Sequence, residues 1–340
     1  MKVNNFKKLL LWLWQIIKTG EKNCYALVII ACYFSSFNCF CQIKITKTEI
    51  SPGTTIDFVF VEGGSYLMGD VLGDGPHLIP ETPVHTVELK SFFIGRHEVT
   101  VASFRQFADE TGYRTSAEKH EGAYSQSPYE SHWKLLSFKQ TDGEPVLQMS
   151  WNDAIHYCNW LSRKNKLHVA YDENTGDLLD AIGDTTSDVC KVQGYRLPTE
   201  AEWEFAARER GKKVRYGNGK DIARISEINF DAGPGRKRST PVGSFSPNAL
   251  GIFDMSGNAW EWCTDCAADY KEGKLINPYV PGNKPRVLFG GSATGDEPRI
   301  LRGGSIGGDA KSVRVFSRAC FGKADHCENS GFRIALSVTN

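Results

Sequence analysis

Residues 195–204 read YRLPTEAEWE. Pro198 stops any helix running into it, and Thr199 followed three residues later by Glu202 forms a capping box. The stretch predicts a helix that starts at Glu200 and presents Trp203, Ala206 and Ala207 to a core. Working outward, SWND at 150–153 is a second capping box, opening a helix with Ala154, Tyr157, Cys158 and Leu161 inward. Thr100 opens a third, with Val101, Phe104, Phe107 and Ala108 on one face and Gly112 as its stop. Residues 56–70, IDFVFVEGGSYLMGD, read as strand, turn and strand, and 84–94, VHTVELKSFFI, as a further strand. Residues 166–195 carry turn signals and predict a hairpin excursion. After Arg210 helical patterns are few. Glycine, proline, aromatics and short apolar runs take over, and such a region needs loops pinned by side chains or ions. The pattern is α+β, with one domain over 42–340.

The chain has 340 residues, 41% hydrophobic and 24% charged, with a formal net charge of +0. That composition supports a sizeable core and excludes a disordered chain. A zero balance gives no broad electrostatic hold on nucleic acid or an anionic membrane. The basic run Arg236, Lys237, Arg238 reads as a solvated loop.

Residues 1–41 differ from the rest. Lysines 2, 7 and 8 precede an apolar run at 9–17, and a second run spans 25–40. Neither reaches the roughly 20 uninterrupted apolar residues of a comfortable membrane span. The segment predicts a signal peptide, and hence a periplasmic, cell-surface or secreted protein. The alternatives are an uncleaved anchor, the only membrane attachment expected, or a start codon placed too early. Cys24, Cys32, Cys39 and Cys41 fall in this leader. Cys158, Cys190, Cys263, Cys266, Cys320 and Cys327 remain, an even number that permits disulfides after export, with Cys320 and Cys327 able to close a small loop. Cys263 and Cys266 have C-x-x-C spacing but no companion pair, so a structural disulfide or plain thiols outrank a redox or metal role.

Several phrases recur in a fixed order: GGSYLMG at 63–69, GRHEVT at 95–100, VLQMSWNDA at 146–154, YRLPTEAEWE at 195–204, PVGSF at 241–245, PNALG at 247–251, MSGNAWEW at 255–262, LRGGS at 301–305 and GFR at 331–333. Together they resemble the formylglycine-generating enzyme superfamily, also called sulfatase-modifying factors. The resemblance implies a compact fold related to C-type lectins, low in regular secondary structure and stiffened by calcium. It places one calcium on Asp254 and Glu261 through side chains and on Gly257 and Ala259 through carbonyls. A second would begin at Asn229 and Phe230, with its remaining ligands not recognisable in 231–238. Calcium takes about six to eight oxygen ligands, backbone carbonyls included, and the segment is rich in them.

The same resemblance implies oxidation of a substrate cysteine to formylglycine by a copper enzyme whose two cysteines follow Gly-Gly-Ser. Soft thiolates hold Cu(I), and oxygen ligands do not. Here Ser305 is followed by IGGDAKSVR, and no cysteine lies between Cys266 and Cys320. The loop keeps Ser305, Arg314 and Arg318, with Arg333 further on. An arginine here can clamp a carboxylate or carbonyl, or can knit loops together. Relatives often join the Cys158 position to one near GFR, which is Ile334 here, so Cys158 is expected unpaired. His77, His85, His97, His120, His132 and His156 show no metal-ligand spacing, and no other catalytic motif is present. The expected function is therefore an exported, non-copper member that binds a peptide, glycan or protein partner in a groove near Ser305, as gliding-motility lipoproteins of this superfamily suggest. The alternative is formylglycine generation, or another divergent oxidoreductase or tautomerase-type activity on the same fold.

Overall fold

The computed structural model describes residues 44–51, 54–122, 131–231, 233, 238–282 and 298–338. The leader, its four cysteines and Arg236–Lys237 lie outside the described residues. Among the described residues, three sheets, three α-helices and a short 3-10 helix at Val189–Lys191 make up the body from Lys44 onward. Strands β1 (Ile45–Ser51), β2 (Thr54–Val61), β5 (Phe92–Gly95) and β11 (Ala335–Ser337) form one antiparallel sheet in the order β1-β2-β5-β11, so the two ends of the described body pair with its middle. Strands β3 (Gly64–Met68), β4 (His85–Leu89) and β7 (Lys274–Ile276) form the second. The third runs β10-β6-β8-β9, from Ser330–Gly331, Trp260–Cys266, Pro298–Arg302 and Arg318–Gly322.

The stretch 84–94 is two strands in two sheets, not one. Val87 and Leu89 are buried in β4, and Phe92 and Ile94 in β5. Buried positions thus change from odd to even numbers, which a single pleated strand cannot satisfy. The break falls at Lys90 and Ser91, whose backbone N–H and side chain are taken by Asn277 and Gly63.

Helices α1 (Val101–Thr111), α2 (Trp151–Lys164) and α3 (Glu200–Ala207) begin where their caps predict. Thr100 caps α1, both capping boxes are closed on α2 and α3, and Gly112 ends α1 in the left-handed conformation at φ 67°. Between α2 and α3 there are single bridges, Tyr171 with Leu178 and Leu179 with Thr185, rather than a laddered hairpin. Asp172 and Asp180 carboxylates accept the nearby backbone N–H groups and replace the missing ladder. Trp151 and Trp262 lie in one core cluster and Trp203 in another. Among the described residues no helix is long and apolar enough to cross a membrane.

Candidate functional site

Helix α3 carries three buried carboxylates, Glu200, Glu202 and Glu204. A buried charge is tolerated when it is paired and hydrogen-bonded, and here each meets an arginine. Arg196 clamps Glu202 with two bonds of 2.7 Å. Glu204 receives Arg208 at 2.8 Å and Arg302 at 2.6 Å. Glu200 receives Arg318 at 2.6 and 2.9 Å and Arg302 at 3.2 Å. The arginines then reach loop carbonyls: Arg318 those of Pro80 and Ala268, Arg302 those of Val315 and Phe316. Arg314 holds Glu81 at 2.9 Å and the Lys311 carbonyl at 2.8 Å. Burial pushes the Glu81 carboxyl up to about 7 against the opposing pull of Arg314. Arg314 and Arg318 thus share the loop carrying Glu81 and Pro80, and both knit chain segments together.

Ser305 is buried with different partners. Its Oγ accepts from the Asn329 side chain at 2.9 Å, and the Cys327 thiol donates to Asn329 Oδ1 at 2.9 Å. Burial raises the Cys327 and Cys320 thiols above their ordinary range, which disfavours the thiolate form. The Gly-Gly before Ser305 is a packing requirement. Gly303 and Gly304 sit at φ 92° and 68°, and a side chain on Gly304 would meet the Ser312 carbonyl at 2.6 Å. Beyond Ser305, Cβ on Gly308 would fall 2.0 Å from Ser312 Oγ. This loop offers no soft ligand, so its residues do not fit Cu(I). Cys158, Cys190, Cys263, Cys320 and Cys327 are free thiols. Cys263 and Cys266 both lie in β6, three residues apart, across an irregularity in its pairing with β8.

The two segments expected to hold calcium lie side by side. Asn229 bridges Gly257, and the Asn258 backbone N–H donates to the Asn229 carbonyl at 2.8 Å. Gly257 at φ 78° allows this contact, because a Cβ there would lie 2.3 Å from that carbonyl. Asn258 ties Asn229 to Glu98, accepting from the first at 3.0 Å and donating to the second at 3.1 Å. Glu98 Oε2 and Asn229 Oδ1 are buried without hydrogen-bond partners. The Asp254 carboxyl is pushed up to about 6 by burial, with Glu261 adding repulsion, while its Oδ2 accepts from Gly243 N–H at 2.7 Å. Phe230 packs with Tyr216, Ile228 and Val313. Glu261 is fully buried and already engaged, with two bonds from Arg333 and one of 2.7 Å from Trp203. Hard oxygens suit a calcium ion, with the Asp254 carboxylate and the Gly257 and Ala259 carbonyls as donors, whereas both Glu261 oxygens are already taken by Arg333 and Trp203. Among the described residues no three His, Cys, Asp or Glu side chains converge as a metal cluster, so backbone oxygens would supply much of the shell.

Sequence reasoning passed over Glu98 and Asn329. Both stand inside or beside phrases already singled out, GRHEVT and GFR, but nothing in their spacing separates a buried acceptor from a surface one.

Residues 45–338 match the family described as Sulfatase-modifying factor enzyme 1-like domain. A formylglycine-generating enzyme of Streptomyces coelicolor is 31% identical over 283 residues, covering 71% of this chain and 80% of the relative. One of Thermomonospora curvata is 29% identical, covering 84% and 94%. Among solved structures, PvdO from Pseudomonas aeruginosa superposes with a TM-score of 0.62 at 25% identity, covering 86% of this chain and 98% of that one. Treponema denticola variable protein 1 has the same TM-score at 22% identity, covering 86% and 99%, and supports the fold.

Proposed function

Since the chain belongs to the sulfatase-modifying factor enzyme 1-like family, we propose that it is an exported member that binds a polypeptide partner at the Ser305 loop without copper chemistry. One observation carries this reading: the loop keeps Ser305, held by Asn329, yet residues 305–318 contain no thiol. Peptide capture needs only hydrogen-bond donors and acceptors on a rigid frame, and the arginine–carboxylate lattice supplies that frame. Glycan and other protein partners belong to the same reading. Calcium, held near Asp254, Gly257, Ala259 and Glu261, would stiffen the segment before β6. A second ion at Asn229 and Phe230 would use the orphaned Asn229 oxygen.

A second reading, formylglycine generation, is favoured by the relatives of 28–31% identity that carry that name. Under it, some other arrangement must replace the missing thiolate pair. One experiment separates the two. The purified protein is loaded with Cu(I) and incubated with oxygen and a peptide bearing a C-x-P-x-R motif. Mass spectrometry then reads aldehyde formation, and equilibrium dialysis reads retained copper. No aldehyde and no retained copper are expected, and aldehyde at turnover would overturn the first reading in favour of the second. For calcium, a chelator is expected to lower the melting temperature, and an unchanged melt would remove the ion from the account.

A further inference from the structure

Asp265 differs from the other buried acids of this region. It lies one residue from the end of β6, 3% exposed. Its Oδ2 accepts from the Glu200 backbone N–H at 2.7 Å and its Oδ1 from that of Val280 at 2.9 Å. Among the described residues no arginine, lysine or histidine hydrogen-bonds it, whereas Glu200, Glu202, Glu204 and Glu261 each hold at least one arginine. A buried carboxylate with two neutral donors and no counter-ion is the costly arrangement that a cation relieves.

The second feature is geometric. Asp265 borders a cavity of 370 Å³ whose wall includes Glu200, Tyr279, Ile276 and Arg318. That volume lies within the range of small-ligand pockets, about 300–1,000 Å³. Arg318 does not serve as the missing cation. Its guanidinium is spent on Glu200 and two carbonyls and is stacked 3.9 Å from the Tyr270 ring centroid. The Tyr279 ring lines the same space, and an aromatic wall beside a carboxylate suits a cation carried on an apolar stem.

We propose that this cavity binds an organic cation, an alkylammonium or guanidinium group, with Asp265 as its counter-ion. The assignment stands independently of the copper question and of the Ser305 loop.

The electrostatics give the proposal a signature. Burial first, then the Glu200 and Glu202 charges, push Asp265 up to about 7. The other ionisable groups around the cavity are Arg318 on β9, His85 on β4, Tyr270, Asp269 and Lys271 in the loop after β6, and Tyr279. A bound cation stabilises the ionised carboxylate, so binding expels a proton near neutrality and strengthens as pH rises. With a midpoint of about 7, the ionised fraction rises about tenfold from pH 6 to pH 8.

The test is calorimetric titration of the full chain with n-butylguanidinium and with n-butylurea, its uncharged isostere. A second arm uses an end-capped peptide carrying one arginine. The expected result is binding of the guanidinium at least about tenfold tighter than the urea, with affinity rising about tenfold between pH 6 and pH 8. Binding of n-butylguanidinium without the peptide assigns a small solute; tighter binding of the peptide assigns a side chain. Asp265→Asn is expected to abolish the preference for the charged probe. Ile276→Trp, on the exposed rim, blocks entry without touching the carboxylate and covers the case in which Asp265→Asn fails to fold. Equal affinity for the two isosteres, a flat pH profile, no binding by any probe, or wild-type affinity in a folded Asp265→Asn or Ile276→Trp protein would overturn the proposal.

Discussion

Removing the Arg333 side chain is expected to be among the most damaging single changes in this chain. Arg333 is fully buried, gives two bonds to Glu261, and also donates to the Gly95 carbonyl at 3.1 Å and the Phe253 carbonyl at 3.0 Å. It therefore ties β6, the end of β5 and the loop before Asp254 to one point. Arg333→Met keeps much of the volume and deletes the charge, leaving the Glu261 carboxylate with Trp203 as its remaining donor. Breaking a buried pair by removing one partner costs about 3–5 kcal/mol, because the surviving charge is uncompensated. Urea unfolding monitored by tryptophan fluorescence measures this directly. The double variant Glu261→Met with Arg333→Met removes both charges and is expected to cost less than the sum of the single changes, with a coupling of at least about 1 kcal/mol. A loss below about 1 kcal/mol for Arg333→Met, or strict additivity in the cycle, would refute the view that this pair organises the segment.

Two further predictions use other parts of the same frame. Gly257→Ala forces a side chain into φ 78° and against the Asn229 carbonyl at 2.3 Å. The left-handed conformation alone costs about 1–2 kcal/mol, so the unfolding free energy from urea titration should fall by more than that, and an unchanged value would contradict the bridge. His97 is held neutral by burial, with Arg333 adding repulsion, and its titration falls to about 4. Its folded pKa is depressed below the ordinary 6.5, so its contribution is present above 6.5 and lost as pH falls toward 4. His97→Asn is expected to make the acid limb of the stability profile shallower, and an NMR midpoint near 6.5 for His97 would count against this.

Local rules carried the sequence reading furthest where chemistry is local. All three helix starts follow from Thr100, Ser150 and Thr199, since a cap is decided within four residues. The family phrases likewise stand in the sequence itself. The single strand predicted over 84–94 failed because its hydrophobic alternation changes phase at Lys90, a shift easily read as noise. The carboxylate–arginine lattice was less legible still. Glu200 and Arg318 are 118 residues apart, and Arg314 and Glu81 are 233. Nothing local marks an acid on an alternating EAEWE stretch as buried rather than solvated. Asp265 was invisible for the same reason: its character comes from two backbone N–H donors, of Glu200 and Val280, with no cationic hydrogen-bond partner among the described residues.

That lattice bears on how the Ser305 loop is to be weighed. A retained Gly-Gly-Ser and two retained arginines look like a conserved reaction centre with its thiols removed. Yet each of these residues has a structural task that does not involve a substrate. Gly303 and Gly304 provide backbone angles and clearance, Arg314 neutralises Glu81, and Arg318 neutralises Glu200 while tying down Pro80 and Ala268. Losing any of them would strand a buried charge or force a clash whatever the chain does chemically. Positions 306–313 carry no such buried charge, and among them Gly308 and Ser312 have closed on each other. Persistence of the frame therefore follows from folding energetics and carries no weight as a sign of catalysis. What does bear on function is the chemistry at polar atoms that no arginine neutralises among the described residues: the Cys327–Asn329–Ser305 hydrogen-bond chain at one place and the Asp265 carboxylate, held by two backbone N–H groups, at another.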